Sequence, residues 1–167
     1  MRNRWPNHAK YAGKHVFYRL ADRSVADFWV SVRSLAEAHL LELKDALARM
    51  SEETAKLTPI NRTQMLELAK RGEVVVLDVR PETEFAAGHL PYALSIPLAQ
   101  VRKRLAELPQ DIPIVAYCRG PFCVMAKEAV TLLSREGYRA TRLEDGVAEW
   151  RAQGLPVEAR LCPAFGD

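Results

Sequence analysis

Two cysteines bracket a tight segment, Cys118-Arg119-Gly120-Pro121-Phe122-Cys123, between an apolar run and an amphipathic one. The run Ile114-Val115-Ala116-Tyr117 reads as a β-strand that ends at the first thiol. Gly120 and Pro121 turn the chain. A helix then begins, with Val124, Ala129, Val130, Leu132 and Leu133 facing inward and Gly137 ending it. Cys118 therefore falls at the C-terminal end of a strand, where ligands bind in open α/β sheets. Amides at the start of the following helix point back at that place, and the helix dipole favours negative charge there.

A free thiol has a pKa of about 8.5, so only about 3% is thiolate at pH 7. Lowering it by about two units takes roughly 2.7 kcal/mol of differential stabilisation. A helix N-terminus supplies roughly 0.3–2 kcal/mol. Each hydrogen bond to a charged group adds roughly 1.5–3 kcal/mol. A loop that curls its amides around Cys118 can supply the difference, and Arg119 adds a cation next door. Pro121 donates no amide, so the cradle falls to the other loop residues. The bland alternative is a cysteine buried in a core strand.

Positioning such a loop needs a sheet, and the flanking sequence provides one. Val74 to Asp78 is a continuous apolar strand of the kind buried on both faces. Ala93 to Ile96 and Tyr138 to Leu143 read as two more. Between them fall helical patterns at Met65 to Arg71, Glu82 to Ala87, Val101 to Leu108 and Glu149 to Gln153. Asn61-Arg62-Thr63-Gln64 reads as a capping box for the first of these, and Ile60 as a short edge strand. Strands alternating with helices predict an α/β fold with a parallel sheet and right-handed crossovers.

At this point the residues resemble a family. The loop Tyr117 to Cys123 is similar to the active-site loop of rhodanese domains, sulfurtransferases that carry sulfur as a cysteine persulfide. Val75 to Ala93, with Asp78-Val79-Arg80 and Gly88-His89, resembles the family's first signature, and Leu94 to Leu98 continues it. Asp145 to Val157, with Trp150, resembles its C-terminal signature. The resemblance covers about residues 58 to 159. It implies that Cys118 is the sulfur-carrying nucleophile and that Arg119, Gly120, Pro121, Phe122 and Cys123 form the substrate-binding loop. Small sulfur donors and thiol acceptors are the implied partners. Asp78 and Arg80 are read as groups that brace the loop, with an ion pair as the plainer role. His89 reads as a structural turn residue and Trp150 as core packing. A phosphatase loop would need an arginine six residues after the cysteine. Val124 stands there, and a phosphoryl group needs bidentate donors.

Cys123 leaves alternatives open. It can resolve a Cys118 persulfide or sulfenic acid into a disulfide. Two thiolates also suit a soft metal or arsenite. It can equally be a small buried residue that starts a helix. No metal and no cofactor is expected for the chemistry. Cys162 lies between Leu161 and Pro163 and is given no role.

The front of the chain is different. Residues 1–14 are polar and basic and read as a poorly ordered tail. Lys14 to Leu20 reads as one strand, and Asp22 or Ser24 can cap a helix. That helix is predicted over Val25 to Met50, with an apolar stripe of Val25, Phe28, Val32, Leu35, Leu40, Leu43, Leu47 and Met50 and a break in spacing near His39. At 1.5 Å per residue it would be about 40 Å long, and it must lay its stripe on something. The expected partner is a second copy, giving a homodimer through residues 24–50; packing on the same chain is the alternative. No ligand-type residue is spaced to join His39 around a metal.

Gly13 to Asp22 resembles the end of the wing hairpin in ArsR-type winged-helix repressors, and the helix after it resembles their dimerisation helix. Some such repressors are fused to a rhodanese domain with this same loop. A recognition helix has no counterpart in the basic stretch of about fifteen residues at the front, so sequence-specific DNA binding is not expected of it. The resulting division is a tail at 1–14, a winged-helix remnant at 15–56, a rhodanese domain at 57–160 and a second tail at 161–167.

Composition agrees with a globular chain: 167 residues, 49% hydrophobic, 27% charged, with a net charge of +3. That charge is too mild to argue for nucleic acid. No apolar run reaches the roughly 18 residues of a membrane span. Three cysteines, two of them in one loop, suit reactive use in a reducing cytoplasm better than a disulfide framework. Two functional readings follow. One is a sulfurtransferase working through Cys118. The other is a sulfide- or redox-sensing module of a regulator, with Cys118 and Cys123 as a thiol switch.

Overall fold

The computed structural model describes residues 9–12, 15–18, 22–40, 42, 45, 46, 49 and 62–160. Its centre is a parallel sheet of four strands. β3 (Val75–Asp78) and β5 (Ile114–Tyr117) lie in the middle, β4 (Leu94–Ser95) beside β3, and β6 (Ala140–Arg142) beside β5. Val75 stands opposite Ile114, and Asp78 opposite Tyr117. Both central strands are apolar because both of their faces are covered. Leu77, Ile114 and Ala116 pack with Ala129 and Leu133 on one side. Val76, Val115 and Tyr117 pack with Met65, Leu90 and Trp150 on the other. This alternation is the period of two of a pleated strand.

The helices are α2 (Arg62–Lys70), α3 (Glu82–Ala87), α4 (Leu98–Val101), α5 (Met125–Arg135) and α6 (Val147–Ala152). The helix expected through Leu108 is instead α4 followed by a 3-10 segment, Arg102–Glu107. Arg104 leaves helical geometry there at φ −112°. Its guanidinium is held by Glu107, at 2.7 Å from each carboxylate oxygen. Helix α2 begins at Arg62 rather than Met65, and Arg62 makes a two-bond pair with Asp145.

At the front, β1 (Ala9–Ala12) and β2 (His15–Tyr18) form an antiparallel hairpin. Residues 9–12 were expected in a disordered tail, and the lone strand expected over 14–20 has a partner. Helix α1 (Arg23–His39) is capped by Asp22, whose carboxylate accepts from the Ser24 amide at 2.7 Å. It ends at Leu40, which is extended, so the single helix predicted to Met50 is interrupted. The spacing from Leu35 to Leu40 is out of helical phase, and the chain breaks where the stripe slips. Leu43, Leu47 and Met50 lie outside the described residues, as do Ile60, Asn61 and the tail from 161 with Cys162. No helix among the described residues is long and apolar enough to cross a membrane.

Candidate active site

Cys118 is the residue after β5. It continues the face of Ile114 and Ala116 into the core and is 1% exposed. Its sulfur is bonded to that of Cys123, with the two Cα atoms 6.3 Å apart. Of the alternatives left open for Cys123, the structure shows the disulfide, which forms because the loop doubles back. Gly120 makes that turn at φ +129°, a backbone region that side chains rarely enter. The Cys123 amide then closes on the Gly120 carbonyl at 3.1 Å. Pro121, Phe122 and the following Val124 form the loop's outer rim, with Phe122 and Val124 exposed.

Arg119 points away toward α3. Its guanidinium makes two-sided contact with the Glu84 carboxylate, with Nε at 3.0 and 3.2 Å and a terminal nitrogen at 2.5 Å. A second terminal nitrogen reaches the Met125 sulfur at 3.4 Å. The Glu84 carboxylate pushes the Arg119 pKa above its usual value. Sequence reasoning read Arg119 as a cation beside the thiol and a member of the loop, and missed Glu84, whose spacing gives no signal.

Beneath the loop lies a second carboxylate that the sequence reading passed over. Glu149 is 3% exposed. It accepts from the Gly146 amide at 2.6 Å and is ion-paired to Arg33 of α1. A β-carbon placed on Gly120 would lie 3.1 Å from both Glu149 carboxylate oxygens. Gly146 is pressed still closer, since a β-carbon there would sit 2.5 Å from the Arg119 carbonyl carbon. Between α1 and this underside is a cavity of about 360 Å³, with Val30 and Arg33 on one wall and Pro121 and Glu149 on the other.

Asp78 and Arg80 are both buried and pair with each other, the shortest contact being 2.6 Å. Arg80 also donates to the Gly88 carbonyl at 2.7 Å and lies over the Tyr117 ring at 5.6 Å. The pair thus bears on Tyr117, the residue before Cys118. Burial pushes the Tyr117 phenol far above its usual pKa, and the Asp78 charge adds to this. The phenol accepts from the Leu90 amide at 3.1 Å. His89 stacks on Phe85 and contacts its carbonyl. Trp150 is fully buried, with its indole donating to the Pro156 carbonyl at 2.9 Å.

Residues 61–153 match the Rhodanese-like domain family. The chain belongs to the rhodanese family. Its rhodanese domain also resembles a sulfurtransferase of Allochromatium vinosum. The two are 34% identical over 93 residues, 55% of this chain and 85% of the relative. A rhodanese-related protein from Thermoplasma volcanium has the same fold. Its TM-score is 0.53 at 27% identity, over 61% of this chain and 98% of that one. The likeness reaches past the rhodanese domain in a third case. An HTH-type transcriptional regulator of Mycobacterium tuberculosis is 42% identical over 161 residues, 95% of this chain and 70% of the regulator. The chain therefore fits the class in which a rhodanese domain is joined to a regulator.

Proposed function

We propose that the rhodanese domain moves sulfane sulfur through Cys118. The placement of Cys118 at the end of β5, on a short loop before α5, carries this reading. A thiol reductant first opens the Cys118–Cys123 bond by two-electron exchange. The Cys118 thiolate then attacks the outer sulfur of a donor such as thiosulfate. The donor's S–S bond breaks, sulfite leaves with the bonding pair, and Cys118 carries a persulfide. An acceptor thiolate or cyanide attacks the terminal sulfur and returns the Cys118 thiolate.

A second reading, a sulfide- or redox-responsive switch, is favoured by the bonded state of the cysteines and by the regulator relative. In it the Cys123 thiolate attacks the inner sulfur of the Cys118 persulfide. A disulfide forms, and hydrosulfide leaves with the electron pair. The apolar stripe of α1 supports a further element, a homodimer. Val25, Phe28, Val32 and Leu35 are all exposed on one chain.

Intact mass decides between the first two readings. Reduced protein is incubated with thiosulfate beside Cys118→Ser and Cys123→Ser. Gain of one sulfur, reversed by cyanide and absent in Cys118→Ser, is the expected result. Loss of two hydrogens that requires both cysteines would favour the switch. No change with any sulfane donor would overturn the transferase.

A further inference from the structure

Glu149 is a buried carboxylate lying against the cysteine loop. A negative charge there opposes a thiolate or persulfide anion on Cys118, since like charges disfavour one another's ionised forms. The structure brings in one cation that lies outside the rhodanese domain. Arg33 of α1 pairs with Glu149 across 116 positions of sequence, and the two side chains are only 11% and 4% exposed. The same guanidinium lies 3.0 Å from Glu37, so it is oriented from its own helix. Helix α1 packs directly on α6.

We propose that Glu149 positions the Cys118 loop from below and that Arg33 neutralises it there. Docking of α1 and negative charge at Cys118 then favour each other. This deepens the reading of Cys118 as a sulfur carrier and rests on it. The coupling is reciprocal by necessity: if the docked helix favours the anion, the anion favours the docked helix. The front of the chain therefore senses whether Cys118 carries charge. A reduced or persulfidated Cys118 holds α1 down, and the disulfide, which is neutral, holds it less.

Other charges surround Cys118. Asp78 ends β3 with Arg80 two residues on, Glu84 faces the site from α3, Arg119 sits in the loop, and Arg142 and Glu144 line the cavity beside Arg33 and Glu149. Lys127 and Glu128 begin α5, and Arg62 pairs with Asp145 ahead of α6. All are common to the variants below, so differences between those variants belong to Arg33 and Glu149.

The test uses the full chain with Cys123→Ser and Cys162→Ser, which leaves Cys118 as its one thiol. Its alkylation by iodoacetamide is followed from pH 5 to 10. Arg33→Met is expected to move the midpoint up by about one pH unit, with about a tenfold loss of alkylation rate below it. Arg33→Lys restores the parent profile. Glu149→Gln, which can still accept from the Gly146 amide, leaves the midpoint at or below that of the parent. The double variant Arg33→Met, Glu149→Gln returns it to the parent value. If both single variants impair Cys118 alike and the double variant is no better, the pair only holds the fold and the proposal fails. An unchanged midpoint in Arg33→Met also overturns it. Sulfur uptake from thiosulfate is read on the same proteins. If the parent takes up none, the transferase reading fails while the alkylation profile still decides the coupling.

Discussion

Arg119 follows Cys118, yet its charge is occupied by Glu84. The pair is half-exposed, so it adds little stability, about 0.2–1 kcal/mol. Its effect on substrate should be larger than its effect on folding. Glu84→Gln removes an anion and releases a cation beside the loop, and both favour a dianionic donor. The KM for thiosulfate is expected to fall about two- to fivefold at low ionic strength, and the gain should fade as salt is added. A KM that rises, or a gain indifferent to salt, would show that Arg119 acts by holding the loop rather than by charge. Cys118 was readable from sequence because strand, turn and helix signals converge on it. Glu84 and Glu149 were not. Each acts through a partner distant in sequence, Arg119 and Arg33, and no local spacing announces such pairs. Glu149 stood in plain view beside Trp150, inside the C-terminal signature, but its burial depends on how α6 meets the loop.

Helix α6 is short, six residues, and does three things at once. Trp150 fills the core on one side of the sheet, Glu149 supports the cysteine loop, and the helix surface receives α1. Trp150→Ala should destabilise the protein by about 3–5 kcal/mol, read by chemical denaturation. Trp150→Phe keeps most of the volume and loses the bond to Pro156, so a cost of about 1 kcal/mol is expected. Equal costs for the two would mean that the hydrogen bond, not the packing, secures α6. The strands were legible because Val75–Asp78 and Ile114–Tyr117 are apolar on every residue but the last. The 3-10 segment was not, since Val101, Leu105 and Leu108 fit a helical stripe and the kink at Arg104 is set by tertiary contacts. The end of α1 was half legible: the stripe slips between Leu35 and Leu40, but no glycine or proline marks the stop.

At the scale of the molecule, the exposed apolar stripe on α1 is an unfinished surface among the described residues. Phe28 and Leu35 are each more than 60% exposed, and with Val25 and Val32 they form a face that water penalises. A double substitution, Phe28→Glu with Leu35→Glu, is expected to leave a monomer by sedimentation where the parent is a dimer. The variant's unfolding midpoint at high dilution should match that of the parent. A parent that sediments as a monomer at all concentrations would end the dimer reading. The parallel sheet was predictable from alternation of strand and helix; its strand order, with β3 and β5 at the centre, was not. Nor was strand β1, because Ala9–Ala12 has no periodic signature of its own, although the resemblance of Gly13 to Asp22 to the end of a wing hairpin implied a partner for β2.

The Arg33–Glu149 contact also has a consequence for synthesis. The ribosome makes Arg33 first and its partner 116 residues later. At about 5–20 residues per second, that is a delay of roughly 6–23 s. Throughout that interval α1 has no α6 to rest on, and its apolar stripe is open to any nascent neighbour on the same message. Two chains growing side by side would meet through α1 before either has finished its sheet. If copies pair through α1 as proposed, that pairing begins on the polysome, with the cysteine loop assembled afterwards.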